Sequence, residues 1–336
     1  MNVMRAIVVE HPAPIESSPL RELELAVPEP QDREILVRVR ACGVCRTDLH
    51  VAEGDLGPKH QRIIPGHEIV GVVEGAGVGA NRFALGARVG IAWLRETCGR
   101  CAYCLRGREN LCVSALFTGW DHNGGYAEYA TVREDFAYSI PDAIRDDEAA
   151  PLLCAGIIGY RAIKRAAIKP GATVGLYGFG GSAHLALQVL THWKCRVFVM
   201  SRGGLHRDLA RSLGAEWIGG ADEKPPAPLD AAILFAPAGN LVMPAMAALD
   251  RGGILAIAGI YLSRIPPLDY ELLFQEREIR SVTANTRADG EEFLKLAGEI
   301  PIRASTVAFE LSDANRALQM LKHDQIQGAG VLRPVR

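Results

Sequence analysis

Neither sign of charge is in excess in this chain: 37 Lys and Arg stand against 39 Asp and Glu in 336 residues, a net charge of −2. No run of Lys or Arg is long enough to coat a phosphate backbone, which argues against nucleic acid as a partner. Long apolar runs are missing as well. The longest, APLLCAGIIGY and GGILAIAGIYL, fall short of the roughly 18 to 20 residues that cross a bilayer, so no membrane association is expected. The opening MNVMRAIVVEHPAP reaches proline before it could form the apolar core of a secretory signal, and a cytoplasmic protein is the expectation. Internal repeats and low-complexity tracts are absent. With 49% apolar and 23% charged residues the composition is that of a globular protein, and the length suggests two domains.

Up to about residue 140, short period-two stretches recur between glycines and prolines. In EILVRVRA, for example, Ile35, Val37 and Val39 alternate with Arg38 and Arg40, the pattern of a half-buried strand. From about residue 170 the texture changes to strand, helix, strand. The helical segments carry apolar residues four apart, Leu185, Val189 and Trp193 in one and Leu205, Leu209 and Leu213 in the next, which ends at Gly214. DAAILFAP and GGILAIAGI are continuous apolar runs, as parallel strands covered on both faces require. The fold expected is a β-rich first domain and a doubly wound α/β domain, with the last 40 or so residues returning to the first.

Eight cysteines are present, and in a reducing compartment clustered thiols bind metal more readily than they form disulfides. ETCGRCAYCLRGRENLC places Cys98, Cys101, Cys104 and Cys112 within fifteen residues. Four thiolates close a tetrahedral shell around Zn²⁺ and leave no position for water or substrate, so this cluster reads as structural. Chemistry must then lie elsewhere. CGVCRTDLH, PGHEIVG and LLCAG offer Cys45, His67 and Cys154 on separate segments, and two thiolates with one imidazole leave the fourth zinc position open. Asp48 is a candidate acceptor for the ring N–H of His67. Glu68, beside that ligand, either approaches the metal or makes an ordinary ion pair. Cys42 and Cys195 match no ligand position.

VGLYGFGGSAHLALQVL runs from a strand through Gly178, Gly180, Gly181 and Ala183 into a helix. This is the G-x-G-x-x-A form of the dinucleotide turn, in which glycines let a pyrophosphate approach the helix N-terminus. About 20 residues on, where an NAD enzyme places Asp or Glu for the ribose hydroxyl, the sequence reads VMSRGG. A carboxylate would repel a 2′-phosphate, whereas the Ser201 hydroxyl and the Arg202 guanidinium suit one, so NADP is favoured, with NAD as the alternative in which Arg202 stacks on adenine.

Together the four-thiol loop, the three further ligands and the glycine turn resemble the zinc-dependent medium-chain alcohol dehydrogenases over nearly the whole chain. The resemblance implies a GroES-like catalytic domain (1–154 and 287–336) and a Rossmann domain (155–286), with a catalytic zinc on Cys45, His67 and Cys154 and a structural zinc on the other four thiols. It implies that Thr47 accepts the alcohol proton and that His50 passes it to solvent through the cofactor ribose. Arg46 resembles the residue that neutralises the pyrophosphate. Ala329 stands where the family often has Arg for a second phosphate contact. Trp93 aligns with the bulky pocket residue of members that prefer short alcohols, and Trp120 takes a similar wall position. The expectation is a homo-oligomer, four subunits rather than two, that interconverts short primary alcohols such as ethanol and propanol with their aldehydes. A reductase of longer or aromatic aldehydes is the alternative within the family. A non-catalytic nucleotide-binding redox sensor would be expected to have lost Cys45, His67 or Cys154, and all three are present.

Overall fold

The computed structural model describes residues 2–334. The chain forms two compact units. One takes the residues up to Cys154, Ala284–Glu299 and the residues from Arg303 on; the other takes Ala155–Thr283 and Ile300–Ile302.

The first unit is built on a seven-stranded sheet with the strand Glu34–Val44 near its middle, paired antiparallel to Ile69–Ala76, Tyr129–Arg133 and Ala329–Arg333. Ile35, Val37 and Val39 are buried while Arg40 is exposed, as a strand with one face on a core demands. A register shift between Val39 and Ala41 breaks that alternation. Ala41–Val44 are then buried without interruption, and the strand delivers Cys45 into the interior end of a turn. There Cys45 caps the helix Arg46–Glu53, with the Asp48 side chain accepting the Cys45 N–H at 3.0 Å. A short hairpin, Leu94–Glu96 against Leu116–Phe117, closes the cysteine-rich loop at its base.

The second unit holds a six-stranded sheet in which every neighbouring pair is parallel. Its order is Trp217–Gly219, Arg196–Met200, Thr173–Tyr177, Leu229–Leu234, Leu249–Ile257, Glu278–Ser281. Counted along the chain this is 3-2-1-4-5-6, the dinucleotide-binding order, whose direction reverses beside the first strand. That strand runs straight into Gly178.

One apolar stripe behaves differently from its spacing. Leu205 is 57% exposed, and the helix Gly204–Ser212 buries Ala210 instead. The helix packs on the outermost strand, which is three residues long and too small to cover a row of leucines.

Candidate functional site

Among the described residues, two groups of side chains bring three or more metal-ligating atoms within 4.8 Å of one another: Cys45, His67, Glu68 and Cys154, and the four thiols of the loop. In the first group Cys45 Sγ lies 4.0 Å from Cys154 Sγ. Two sulfurs bound to one tetrahedral zinc at about 2.3 Å stand about 3.8 Å apart, so the pair is spaced for a shared ion. The imidazole of His67 is wholly buried, and its Nε2 has no hydrogen-bond partner. An orphaned buried nitrogen costs about 1–3 kcal/mol, and a metal ion would satisfy it. The residues present therefore fit zinc.

Asp48 organises this corner. Its carboxylate accepts the Nδ1–H of His67 at 2.9 Å, the Gly66 N–H at 3.1 Å and the Tyr126 hydroxyl at 3.2 Å, besides the Cys45 N–H. Holding the proton on Nδ1 leaves the Nε2 lone pair for the metal and makes it more basic. Gly66, itself bound to Asp48 and next to His67, has φ +95°, and a Cβ there would fall 2.4 Å from the Tyr126 ring; only glycine fits this turn.

Electrostatics follow from the same contacts. The hydrogen bond shared with Cys154, reinforced by His67, holds the Cys45 thiol well below its ordinary pKa against the effect of burial. That same shared bond, together with burial, pushes Cys154 up. Burial opposes charge on His67, yet the Asp48 carboxylate and Cys45 lift its pKa well above the usual value. Glu68 is raised by burial. Its carboxyl lies against Gly43, where a Cβ would fall 1.7 Å from Oε2.

Aromatic rings wall the space beside His67. Trp93 meets the imidazole edge-on, with centroids 5.0 Å apart at 72°. It stacks on Phe117 at 4.8 Å and lies nearly parallel to Trp120 at 6.3 Å. Thr47 is buried, with Oγ1 3.9 Å from Cys45 Sγ. His50 Nδ1 is 2.8 Å from Asp55 Oδ2, and Arg46 pairs with Asp324 at 2.7 Å.

In the loop, Cys101 and Cys112 each bring a sulfur to 3.5 Å from a neighbour, Cys104 and Cys98 respectively. Backbone N–H groups of Cys101, Cys98 and Ser114 point at the sulfurs of Cys98 and Cys112 at 3.3–3.4 Å. Backbone donors from Arg100 and Cys101 hold the Cys98 thiol down at about 6, whereas burial lifts Cys104 to about 11. A thiolate beside thiols, already supplied with N–H donors, is the arrangement that a soft cation completes.

In the second unit Gly178 has φ +87° and donates its N–H to the Met200 carbonyl at 2.9 Å. Gly180 caps the helix Gly181–His192 and faces open space, where a Cβ would meet nothing within 4 Å. Ala183 is fully buried, as the small third position of the turn requires. Ser201 is buried and its carbonyl accepts the Arg207 guanidinium at 2.6 Å, while Arg202 is exposed.

Residues 31–142 match the model of the alcohol dehydrogenase GroES-like domain. A probable alcohol dehydrogenase of Mycobacterium tuberculosis is 55% identical over 98% of this chain and 97% of its own length. This chain belongs to the medium-chain alcohol dehydrogenases of the zinc type. Within that family it is similar in structure to a thermostable alcohol dehydrogenase of Pyrobaculum aerophilum solved with cobalt and zinc, at 29% identity and a TM-score of 0.89 over 99% of this chain and 100% of that one. It is also similar to a cinnamyl alcohol dehydrogenase of Sorghum bicolor, at 26% identity and a TM-score of 0.90 over 99% of this chain and 98% of that one. This alcohol dehydrogenase is thus an oxidoreductase built from a GroES-like domain and a Rossmann-like parallel sheet. No helix among its described residues is long and apolar enough to cross a membrane.

Sequence reasoning missed three side chains of this alcohol dehydrogenase that touch the groups described above. Tyr126 reaches Asp48 from 78 positions away, Phe117 completes the aromatic stack, and Arg207 holds the Ser201 backbone. None carries a local motif.

Proposed function

We propose that this protein is a zinc-dependent dehydrogenase that interconverts short primary alcohols and their aldehydes, with NADP as the preferred nucleotide. The observation that carries the reading is the ligand set Cys45, His67 and Cys154, with the unpartnered His67 Nε2 aimed at a shared position and an aromatic wall beside it. Zinc held there supplies Lewis acidity, and the nicotinamide nucleotide accepts the hydride in alcohol oxidation.

Around those groups the chain's own residues divide the work. Asp48 holds the His67 ring. Thr47 takes the substrate's hydroxyl proton, and His50 releases it to solvent. Glu68, whose carboxyl burial raises, stands beside these ligands and is the further side chain that approaches the metal. Cys98, Cys101, Cys104 and Cys112 hold a second, structural zinc, giving two per chain. Gly178, Gly180, Gly181 and Ala183 cradle the pyrophosphate, with Arg46 as its counter-charge, while Ser201 and Arg202 take the 2′-phosphate. Trp93 and Trp120 narrow the pocket. The first unit, in the bounds given above, acts as the catalytic domain and the second as the cofactor domain. An edge strand, Glu278–Ser281, preceded by the exposed Tyr270 and Phe274, supports pairing in a homo-oligomer, and the family resemblance favours four subunits rather than two.

The test is the initial rate of 1-propanol oxidation by zinc-replete protein with NADP and NAD side by side. Higher kcat/KM with NADP supports the whole reading; a clear preference for NAD keeps the dehydrogenase and makes Arg202 an adenine contact. A second reading, reduction of longer or aromatic aldehydes, draws on the similarity to the Sorghum bicolor cinnamyl alcohol dehydrogenase and predicts faster turnover with cinnamaldehyde than with propanal.

A further inference from the structure

Trp120 makes contacts that neither metal set nor the nucleotide turn uses. Its indole N–H donates to the Gly57 carbonyl at 3.0 Å, and the Lys59 ammonium lies 4.6 Å from its ring centroid. One residue on, His60 Nε2 is 2.8 Å from the carbonyl of Asp121, the neighbour of Trp120. The same segment is tied at its other end to the helix Arg46–Glu53. Gly54, in the left-handed conformation at φ +85°, ends that helix. The Asp55 carboxylate then meets His50 at 2.8 Å, and the Leu56 N–H donates to the His50 carbonyl at 3.2 Å.

Residues 54–60 therefore form a strap that runs from the proton-relay histidine to the aromatic wall. Gly57, Pro58, Lys59 and His60 are all exposed, so polar ties rather than apolar burial hold it against the indole. The ring itself is loosely stacked. Its centroid is 6.1 Å from Phe117 and 6.3 Å from Trp93, at the far end of the 4.5–7 Å range for aromatic pairs. One hydrogen bond at Nε1 fixes one atom of a plane, and a second contact on the ring is needed to set its tilt.

We propose that Lys59, through its cation–π contact with Trp120, sets the tilt of that indole and with it the length of alcohol the pocket accepts. This rests on the reading that Trp93 and Trp120 wall the alcohol pocket. Lys59 is a positioning residue: it acts on substrate selection through the ring. A cation–π contact at an exposed site shifts such an equilibrium by about two- to fivefold. Lysine is the residue type suited to this role here, because its long stem lets an exposed backbone place a charge over the ring.

The experiment compares wild-type, Lys59→Met, Lys59→Arg and Trp120→Ala proteins, all zinc-replete and full length, with primary alcohols from ethanol to 1-octanol and NADP. Lys59→Met keeps the stem and loses the charge, so its 1-hexanol to ethanol ratio of kcat/KM should rise about two- to fivefold, mainly through KM. Lys59→Arg should keep the wild-type ratio. Near-UV circular dichroism of the stacked indoles, which needs no turnover, should weaken in Lys59→Met and not in Lys59→Arg. An unchanged ratio and spectrum in Lys59→Met, with a shifted profile in Trp120→Ala, would overturn the role of Lys59 and leave the pocket reading intact. An unchanged profile in Trp120→Ala would overturn the pocket reading and the proposal with it. Should no alcohol turn over, the spectrum alone decides the contact, and the dehydrogenase reading fails separately.

Discussion

Asp48 shows how much one buried side chain does. It accepts four hydrogen bonds, two from backbone groups of the turns that bear Cys45 and His67, one from the His67 ring and one from Tyr126. Such a carboxylate fixes both where the imidazole sits and which nitrogen carries the proton. Asp48→Asn keeps the shape and most of the burial but presents one N–H of its amide to donors that need an acceptor. Zinc affinity at the proposed Cys45 site should fall about 10- to 100-fold, seen as faster loss to a chelator of the zinc proposed there; an unchanged loss rate would remove Asp48 from metal positioning. The contact of Asp48 with the His67 ring was legible in the sequence because a metal-binding imidazole needs an acceptor for its other ring N–H, whereas its hold on the Cys45 N–H was not. The part played by Tyr126 was not, since a hydroxyl 78 positions away reaches Asp48 only after the strands have paired.

The helix Gly181–His192 carries a group that no motif announced. His184 is wholly buried, its Nδ1 lies 3.3 Å from the Gly180 carbonyl, and its Nε2 has no partner. Burial drives its pKa down to about 4 from an ordinary 6.5. The sign follows directly. Above pH 6.5 neither folded nor unfolded chain binds the proton, and the full stability is present. As the pH falls below that, the unfolded chain takes up the proton first, and stability drains away until the folded ring also titrates near 4. The loss should reach about 2 kcal/mol by pH 5. Denaturant midpoints measured from pH 7 to 5 should fall less steeply for His184→Leu than for the wild type, and parallel slopes would clear His184. The strand Glu34–Val44 makes the complementary point about legibility. Its alternation was visible in the sequence, but the register shift after Val39 was not, because a bulge is set by the partner strand and not by the residues of its own.

For the proposed homo-oligomer, the exposed Tyr270 and Phe274, 73% and 56% accessible with centroids 5.7 Å apart, lead into the edge strand Glu278–Ser281. Phe274→Asp should lower the mass measured by analytical ultracentrifugation toward that of a single 36.3 kDa chain, with zinc content retained; a mass equal to that of the wild type would remove this edge from the proposed contact. The presence of a β-rich and an α/β part was legible because parallel strands covered on both faces leave continuous apolar runs and antiparallel ones leave alternation. The donor chemistry of both metal sets was equally open to reading. Thiolates and imidazole are donors that suit zinc, and a glycine turn admits a phosphate because it has no Cβ. Those properties belong to residue types and short spacings. Convergence does not. Cys45, His67 and Cys154 are drawn to one position, Phe117 is laid on Trp93, and Lys59 is set over Trp120 by sheet register and loop path. These depend on the packing of segments far apart in the chain, which no local pattern encodes.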